Sequence, residues 1–176
     1  MPSSNNKTLS LCFSGHRPEN LPGDGNTSDI GYRMLISMLY LEIEESINNG
    51  YKVFYTGMAR GIDLVAANIV LEERIKHPDI KLVCVIPYEG QNKDYLPIEK
   101  LEYSSIIKTA DEVICLSDRY YPDCMRDRNR YMVDHSDKLI AVMKNPRSGT
   151  GMTVNFARKK GIDIKIIDLN TLSPIY

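Results

Sequence analysis

Several features that define common protein classes are missing from this sequence. Its four cysteines include no CxxC pair, so we predict neither a zinc site nor a thioredoxin-like motif. No apolar stretch approaches the roughly 20 residues needed to span a bilayer. The opening residues MPSSNNKT show neither the basic nor the apolar region of a signal peptide. We therefore expect a cytoplasmic protein that binds no metal and no membrane.

A large excess of charge of either sign is also missing. The formal net charge is -1, whereas tight non-specific nucleic-acid binders usually carry a basic excess. We therefore do not expect nucleic acid as a partner. The 176 residues, 43% hydrophobic and 26% charged, are enough for one soluble domain with a sizeable core.

Short apolar runs rich in Val, Ile and Leu alternate with longer segments of helical period. This pattern predicts an α/β fold: a single Rossmann-like, doubly wound domain. Its mainly parallel sheet has five or six strands, with helices on both faces. Strands are predicted at 9–14, 52–56, 81–86, 112–116, 138–143 and 163–167, and helices at 31–49, 62–76, 97–109, 126–135 and 153–160. The domain covers 9–168, between a disordered N-terminal tail (1–8) and a C-terminal tail (169–176).

The apolar runs also predict the core. We expect these strand residues to be buried: Leu11, Phe13, Val53, Val83, Ile86, Val113, Ile140 and Val142. The segment 19–30, with two glycines and a proline, is predicted to be a flexible loop, serving either as a lid or as plain surface.

The predicted binding site lies beyond the carboxyl ends of the strands, where ligands of open parallel sheets bind. Two glycine-containing loops there run into helices, and glycine allows backbone N–H groups at a helix start to approach an anion. No GxGxxG or Walker A sequence is present, so the nucleotide type is not specified and no cofactor is certain. The predicted ligand- and phosphate-binding residues are Ser14, Gly15, His16, Arg17, Thr56, Gly57, Met58, Ala59, Arg60, Gly61, Asp63, Pro87, Arg130, Ser148, Gly149 and Thr150.

Three of these residues have competing roles. His16 can donate to a phosphate, transfer a proton, or cap its loop. Asp63 can bind a ribose hydroxyl or stabilise the start of its own helix. Arg130 belongs to a run of arginines that is either a solvated helix face or a clamp for a second phosphate.

Three ordered motifs resemble one protein family. They are Phe13-Ser14-Gly15-His16-Arg17-Pro18, Gly57-Met58-Ala59-Arg60-Gly61-Ile62-Asp63, and the segment from Asn129 to Val142. Together they resemble the YpsA-like (DUF1273) branch of the SLOG superfamily, which also contains the Lonely Guy phosphoribohydrolases and the DNA-processing protein A/Smf proteins. The resemblance implies a Rossmann-type domain that binds a nucleotide or a nucleotide-derived signal.

The chain departs from the Lonely Guy pattern PGGxGTxxE. The matching segment runs from Pro146 to Thr153, with Ser148 in place of one glycine and Thr153 near the position of the glutamate. If the protein is an enzyme, an N-glycosidic hydrolase, its carboxylate must come from another loop, from Asp63, Glu89 or Asp118. We therefore expect a sensor or binding domain for a small nucleotide derivative, with a hydrolase or a single-stranded DNA-binding accessory protein as alternatives.

The first predicted helix carries more apolar surface than a single stripe facing a sheet requires. This surplus, which includes Met34, Met38, Leu39 and Leu41, predicts a homo-oligomer unless a second helix covers it.

Overall fold

The computed structural model describes residues 7–172, in which six β-strands alternate with five α-helices. The strands are β1 (Leu9–Gly15), β2 (Tyr51–Thr56), β3 (Lys81–Ile86), β4 (Glu112–Cys115), β5 (Lys138–Met143) and β6 (Asp163–Asp168). The helices are α1 (Ile30–Asn48), α2 (Ile62–Lys76), α3 (Pro97–Thr109), α4 (Cys124–Asp134) and α5 (Gly149–Lys160). Short 3-10 turns occur at Pro18–Asn20, Pro22–Gly25 and Leu169–Thr171.

All neighbouring strands pair in parallel, in the order β4-β3-β2-β1-β5-β6. The first four strands extend the sheet in one direction, and β5 returns to the other side of β1. Because crossovers between parallel strands are right-handed, this reversal sends α1, α2 and α3 to one face and α4 and α5 to the other. The carboxyl ends of β1 and β5 are therefore the switch point of this Rossmann-like fold.

Each face of the sheet has its own core, because successive side chains of a strand point to opposite faces. On β1, Leu11 and Phe13 enter the core beneath α1, α2 and α3, whereas Cys12 enters the core beneath α4 and α5. On β5, Ile140 and Ala141 divide between the two cores in the same way. Burial on both faces explains why the central strands are almost wholly apolar.

Helix α1 begins at an N-cap aspartate and packs one stripe against the sheet. Asp29 Oδ1 accepts a hydrogen bond of 2.8 Å from the backbone N–H of Tyr32. The inward stripe consists of Leu35, Leu39, Ile43 and Ile47, all 5% exposed or less. Met34, Met38 and Leu41 are 46%, 37% and 63% exposed, so part of the apolar surplus faces outward. Leu39 belongs to the core and not to this outer face.

The structure corrects several details of the sequence-based prediction. Val113 is 41% exposed and Val53 only partly buried, so neither belongs with the fully buried strand residues. Val113 lies on the edge strand β4, whose apolar run resembles that of a central strand although helices cover it incompletely.

The segment 19–30 is likewise more ordered than predicted. It contains 3-10 turns and anchors Leu21, 5% exposed, in the core. At the other end of the domain, Leu169 and Leu172 are buried, so the folded unit extends past the predicted boundary at 168. Residues 1–6 and 173–176 of the predicted tails lie outside the described residues.

None of the helices within residues 7–172 has the length and apolar character needed to cross a membrane.

Aspartate substitutions on β5 and β4 should distinguish a buried core position from a position on the sheet edge. Ile140→Asp places a carboxylate where the side chain is 0% exposed, and we expect it to prevent folding because an unpaired buried charge is very costly. Val113→Asp, on the exposed edge, should remain soluble and melt cooperatively with a loss of about 1 kcal/mol, the span of strand propensities. Circular dichroism melting measures both, and a Val113→Asp chain that cannot fold would contradict this account of β4.

Candidate functional site

The loop that follows β2 is held in shape by its own side chains. Thr56 Oγ1 donates to the backbone oxygen of Asp63 (2.9 Å) and accepts from Met58 N–H (3.3 Å). The Asp63 carboxylate accepts a hydrogen bond of 3.2 Å from Ala59 N–H. Thr56 and Asp63 are buried, so both residues organise the loop from beneath.

A buried arginine from α4 completes this loop. Arg128 is 4% exposed; its Nη1 donates to the backbone oxygen of Gly57 and its Nε to Asn129 Oδ1 (2.8 Å). A Cβ on Gly57 would overlap the guanidinium, so a larger residue there would displace the Arg128 side chain from this position. Burial raises the pKa of Asp63, whereas the charge of Arg128 and the backbone N–H groups of Ala59 and Gly57 lower it. The two opposite charges therefore stabilise each other inside the protein.

Met58 lies at the crest of the loop with φ of 58°, a region that costs a non-glycine residue about 1–2 kcal/mol. Its side chain is fully buried, and Tyr95 Oη donates to its backbone oxygen at 2.9 Å. Gln91 Nε2 donates to the Gly57 oxygen at 3.0 Å. Residues from β2, α4 and the segment after β3 thus hold one strained conformation.

Above this loop is a cavity of about 200 Å³, which we call the tyrosine cavity. It is lined by Arg17, Ala59, Arg60, Tyr88, Gln91, Asp94, Tyr95 and Met125. Arg17 is exposed and reaches it from the loop after β1. The hydrogen bond to Met58 fixes the Tyr95 ring, so the cavity has a rigid aromatic wall.

Arg60 lines the tyrosine cavity but is already paired with carboxylates. Its Nε donates to Glu99 Oε2 at 2.8 Å, and its Nη1 lies 3.4 Å from Glu19 Oε2. The hydrogen bond to Glu99 is the main cause that raises the pKa of Arg60. Its charge is therefore largely compensated, in contrast to that of a free phosphate-binding arginine.

A second cavity, of about 470 Å³, lies at the switch point between β1 and β5. This switch-point cavity is lined by His16, Asn20, Lys144, Asn145, Ser148 and Asn170. His16 Nε2 accepts a hydrogen bond of 2.9 Å from Lys144 N–H. Burial, together with the charge of Lys144, lowers the pKa of His16, so the imidazole is neutral at pH 7 and suited to accept this bond.

Helix α5 directs its N-terminus toward the switch-point cavity. Ser148 is the N-cap: its Oγ accepts from Gly151 N–H at 3.2 Å and donates to the Asn145 oxygen at 2.6 Å. A Cβ on Gly151 would overlap the Pro146 carbonyl, which explains the second glycine of this loop. The first turn of α5 contains no acidic residue, so its backbone donors meet no carboxylate of their own helix.

The predicted site residues thus separate into groups. His16 and Ser148 line the switch-point cavity, and Arg17, Ala59 and Arg60 line the tyrosine cavity. Buried beneath the surface are Ser14, Thr56, Gly57, Met58, Asp63, Pro87 and Thr150. Gly15 and Gly61 allow close packing, since a Cβ would overlap Ile62 at the first and the His16 carbonyl at the second. Gly149 is exposed at the start of α5.

Two further predicted residues, Arg130 and Glu89, are exposed and also line neither cavity. The Arg130 guanidinium stacks 4.5 Å from the centre of the Phe156 ring, against α5. Glu89 is exposed after β3, and its backbone N–H donates to the Ser117 oxygen at 3.1 Å.

Sequence reasoning also missed several residues of the site. Lys144 follows β5 directly, and its place at a strand end was the available signal. Arg128 could not be separated from its neighbours Arg126 and Arg130 without knowing which face of α4 is buried. Tyr88, Gln91 and Tyr95 follow β3 in a segment without glycine-rich character, so only the fold brings them to the site.

No group of three or more His, Cys, Asp or Glu side chains within residues 7–172 is arranged to hold a metal ion.

Two solved structures share this fold. DNA processing protein A from Streptococcus pneumoniae superposes with a TM-score of 0.60 at 21% identity, covering 91% of this chain and 50% of that one. DNA processing protein A from Helicobacter pylori, whose structure concerns its single-stranded DNA binding mode, gives a TM-score of 0.59 at 17% identity over 93% and 70% of the two chains. This chain therefore spans half the length of the streptococcal protein, and at these identities the likeness concerns the fold alone.

Sequence relatives identify the family. The SPbeta prophage-derived protein YoqJ of Bacillus subtilis (strain 168) is 34% identical over 131 residues, which cover 66% of this chain and 76% of the relative. A UPF0398 protein of Bacillus cereus (strain B4264) is 25% identical over 154 residues, covering 86% and 83%. The model of the YspA SLOG family matches residues 11–172. That match covers nearly the whole domain, and the chain belongs to the YspA SLOG family.

Proposed function

We propose that the protein binds a nucleotide or nucleotide-derived phosphorylated ligand at the carboxyl edge of its sheet, as a sensor or binding domain. The observation that carries the proposal is the switch-point cavity, where Lys144 and the N-terminus of α5 converge beside His16. A helix N-terminus offers backbone donors and a partial positive charge, and a nearby lysine adds a full one.

The two helix starts at this edge differ in their capacity for a ligand anion. Asp63 occupies the first turn of α2, so that helix already has a negative group of its own. The first turn of α5 has none, and Lys144 has no ion-pair partner among residues 7–172. In this proposal the phosphate of the ligand therefore binds at the N-terminus of α5.

The tyrosine cavity suits the nucleoside part of the same ligand. Adjacent residues line the two cavities, His16 the switch-point cavity and Arg17 the tyrosine cavity. Tyr88 and Tyr95 offer aromatic surface for stacking on a base. Asp94 offers a carboxylate for ribose hydroxyls or an amino group. A cavity of about 200 Å³ holds part of a ligand, which then extends across the end of β1.

Binding is favoured over hydrolysis because none of the three candidate catalytic residues presents a free group to the two cavities. Asp63 is 4% exposed and bonded to its loop, and His16 Nε2 is occupied by Lys144 N–H. Glu89 lines neither cavity. An N-glycosidic hydrolase needs a carboxylate at the anomeric carbon, and Asp94 is the one acidic residue lining these two cavities.

The phosphate site can be tested with AMP and ADP-ribose as probes in isothermal titration calorimetry. Lys144→Ala should weaken binding about 10- to 100-fold, because hydrogen bonds to charged groups contribute about 1.5–3 kcal/mol. Lys81→Ala, an exposed lysine at the amino end of β3, is the matched control and should bind as wild type does.

Three outcomes would contradict the proposal. Equal weakening by both variants would mean only a general charge effect. Release of free base from either probe would favour the hydrolase, and tight binding of an oligothymidylate with steep salt dependence would favour single-stranded DNA.

We also propose that the protein associates with a second copy through the outer face of α1. Arg33 lies at the beginning of the exposed Met34-Met38-Leu41 stripe and Glu45 at its end. In an antiparallel two-fold pairing of α1 helices, Arg33 of each copy faces Glu45 of the other while the apolar residues meet at the centre.

Met38→Glu should convert this dimer to a folded monomer, because two added carboxylates would meet near the two-fold axis. Sedimentation equilibrium at micromolar concentration measures the mass, and melting curves verify that the variant is folded. Leu41→Ala, which keeps an apolar side chain, should remain largely dimeric. A wild-type species of 20.0 kDa would refute the self-association.

A further inference from the structure

A third cavity lies on the opposite side of Arg60 from the tyrosine cavity. Its volume is about 480 Å³, within the range of small-molecule sites. We call it the acidic cavity because four carboxylates and one guanidinium contribute to its wall. It is lined by Pro18, Glu19, Asp24, Gly25, Tyr32, Arg60, Gly61, Leu64, Val65, Leu96, Glu99 and Glu102.

Tyr32 is a polar side chain in this wall without a partner. It is 7% exposed, and its hydroxyl makes no hydrogen bond with any of residues 7–172. Burial raises the pKa of Tyr32, and the negative charge of Glu102, which lines the same cavity, raises it further. The phenol oxygen keeps some exposure in the wall of the cavity, so it is available to a ligand.

Glu102 supplies the second free acceptor. Its Oε1 accepts from Asn68 Nδ2 at 2.6 Å, and Oε2 makes no hydrogen bond within the described residues. Burial raises the pKa of Glu102, the hydrogen bond from Asn68 opposes that shift, and the charge of Glu99 adds to it. Glu99, in contrast, already bonds Arg60 and the N–H of Leu96.

The rest of the wall indicates the shape of the ligand. Leu64, Val65 and Leu96 give an apolar surface suited to methylene groups. Asp24 is exposed at the mouth and, among residues 7–172, forms no ion pair. A wall that combines apolar surface with acidic side chains fits a short aliphatic chain that carries positive charge.

We propose that the acidic cavity binds a primary alkylammonium group, of the kind carried by a short aliphatic diamine. The ammonium donates to Glu102 Oε2 and Tyr32 Oη, and the methylene chain packs on Leu64, Val65 and Leu96. A second ammonium lies near Asp24 at the mouth. The cavity is separate from Lys144 and α5, so this inference goes beyond the nucleotide proposal.

Isothermal titration calorimetry with 1,4-diaminobutane tests the site, and butane-1,4-diol serves as the uncharged probe of matched length. We expect saturable binding of one diamine per chain and none of the diol. Glu102→Gln should weaken binding at least about tenfold, because it removes a charge-assisted bond. Tyr32→Phe, which keeps the ring packing, should weaken binding about three- to tenfold.

Two further variants make the outcome decisive. Glu72→Gln removes an exposed carboxylate of α2 that does not line the acidic cavity. Asp24→Asn removes only the charge of Asp24, and asparagine tolerates the positive φ of that position. Glu72→Gln should bind as wild type does, and Asp24→Asn should bind the diamine more weakly. No saturable binding, or equal loss in Glu72→Gln and Glu102→Gln, would overturn the proposal. Lys144→Ala should leave diamine binding unchanged, which separates failure of this proposal from failure of the nucleotide site.

Discussion

The buried pair of Asp63 and Arg128 is the constraint on which the carboxyl edge of this sheet depends. Both residues are 4% exposed, and each would be very costly to bury without the other's charge. They meet around Gly57, whose carbonyl accepts bonds from both Arg128 and Gln91. The bond from Arg128 joins residues 71 positions apart in the chain, so the loop after β2 takes its shape in part from a helix on the opposite face of the sheet.

The pair also makes the N-termini of α2 and α5 electrostatically different. The N-terminus of α2 interacts with Asp63, a protein carboxylate that is itself fixed by Ala59 N–H and Arg128. The N-terminus of α5 carries only its serine cap. One half of the edge is therefore electrostatically complete as folded, and the other half presents donors to the switch-point cavity. The reversal of strand order places the incomplete half beside β1.

The sequence was sufficient to predict most of the fold, for identifiable reasons. The bounds of α2, α3, β3 and β5 follow from apolar periodicity ended by proline, glycine or charged residues, and the structure agrees with them. The position of β4 at the edge of the sheet could not be predicted in the same way, because Val113 lies in a run as apolar as that of a central strand. Helix α5 begins four residues earlier than its apolar period indicates, since the turn from Gly149 to Met152 is defined by the Ser148 cap.

The candidate site was predictable only in outline. Strand ends and glycine loops located the edge and several of its residues, including His16, Arg17 and Ser148. Which side chains face a cavity and which lie beneath it depends on packing, as the contrast between Arg128 and Arg130 illustrates. Both arginines lie on α4 two positions apart, yet one is buried under Gly57 and the other covers Phe156.

The two edges of the sheet determine how copies of this chain can meet. An exposed edge strand has unpaired backbone groups and invites strand-to-strand aggregation. Here β4 is only four residues long and begins with Glu112, while β6 alternates exposed charged residues such as Asp163 and Lys165 with apolar ones. Both features disfavour continuation of the sheet from one molecule into the next. Growth into fibrils by edge pairing is thereby opposed at each end of the sheet.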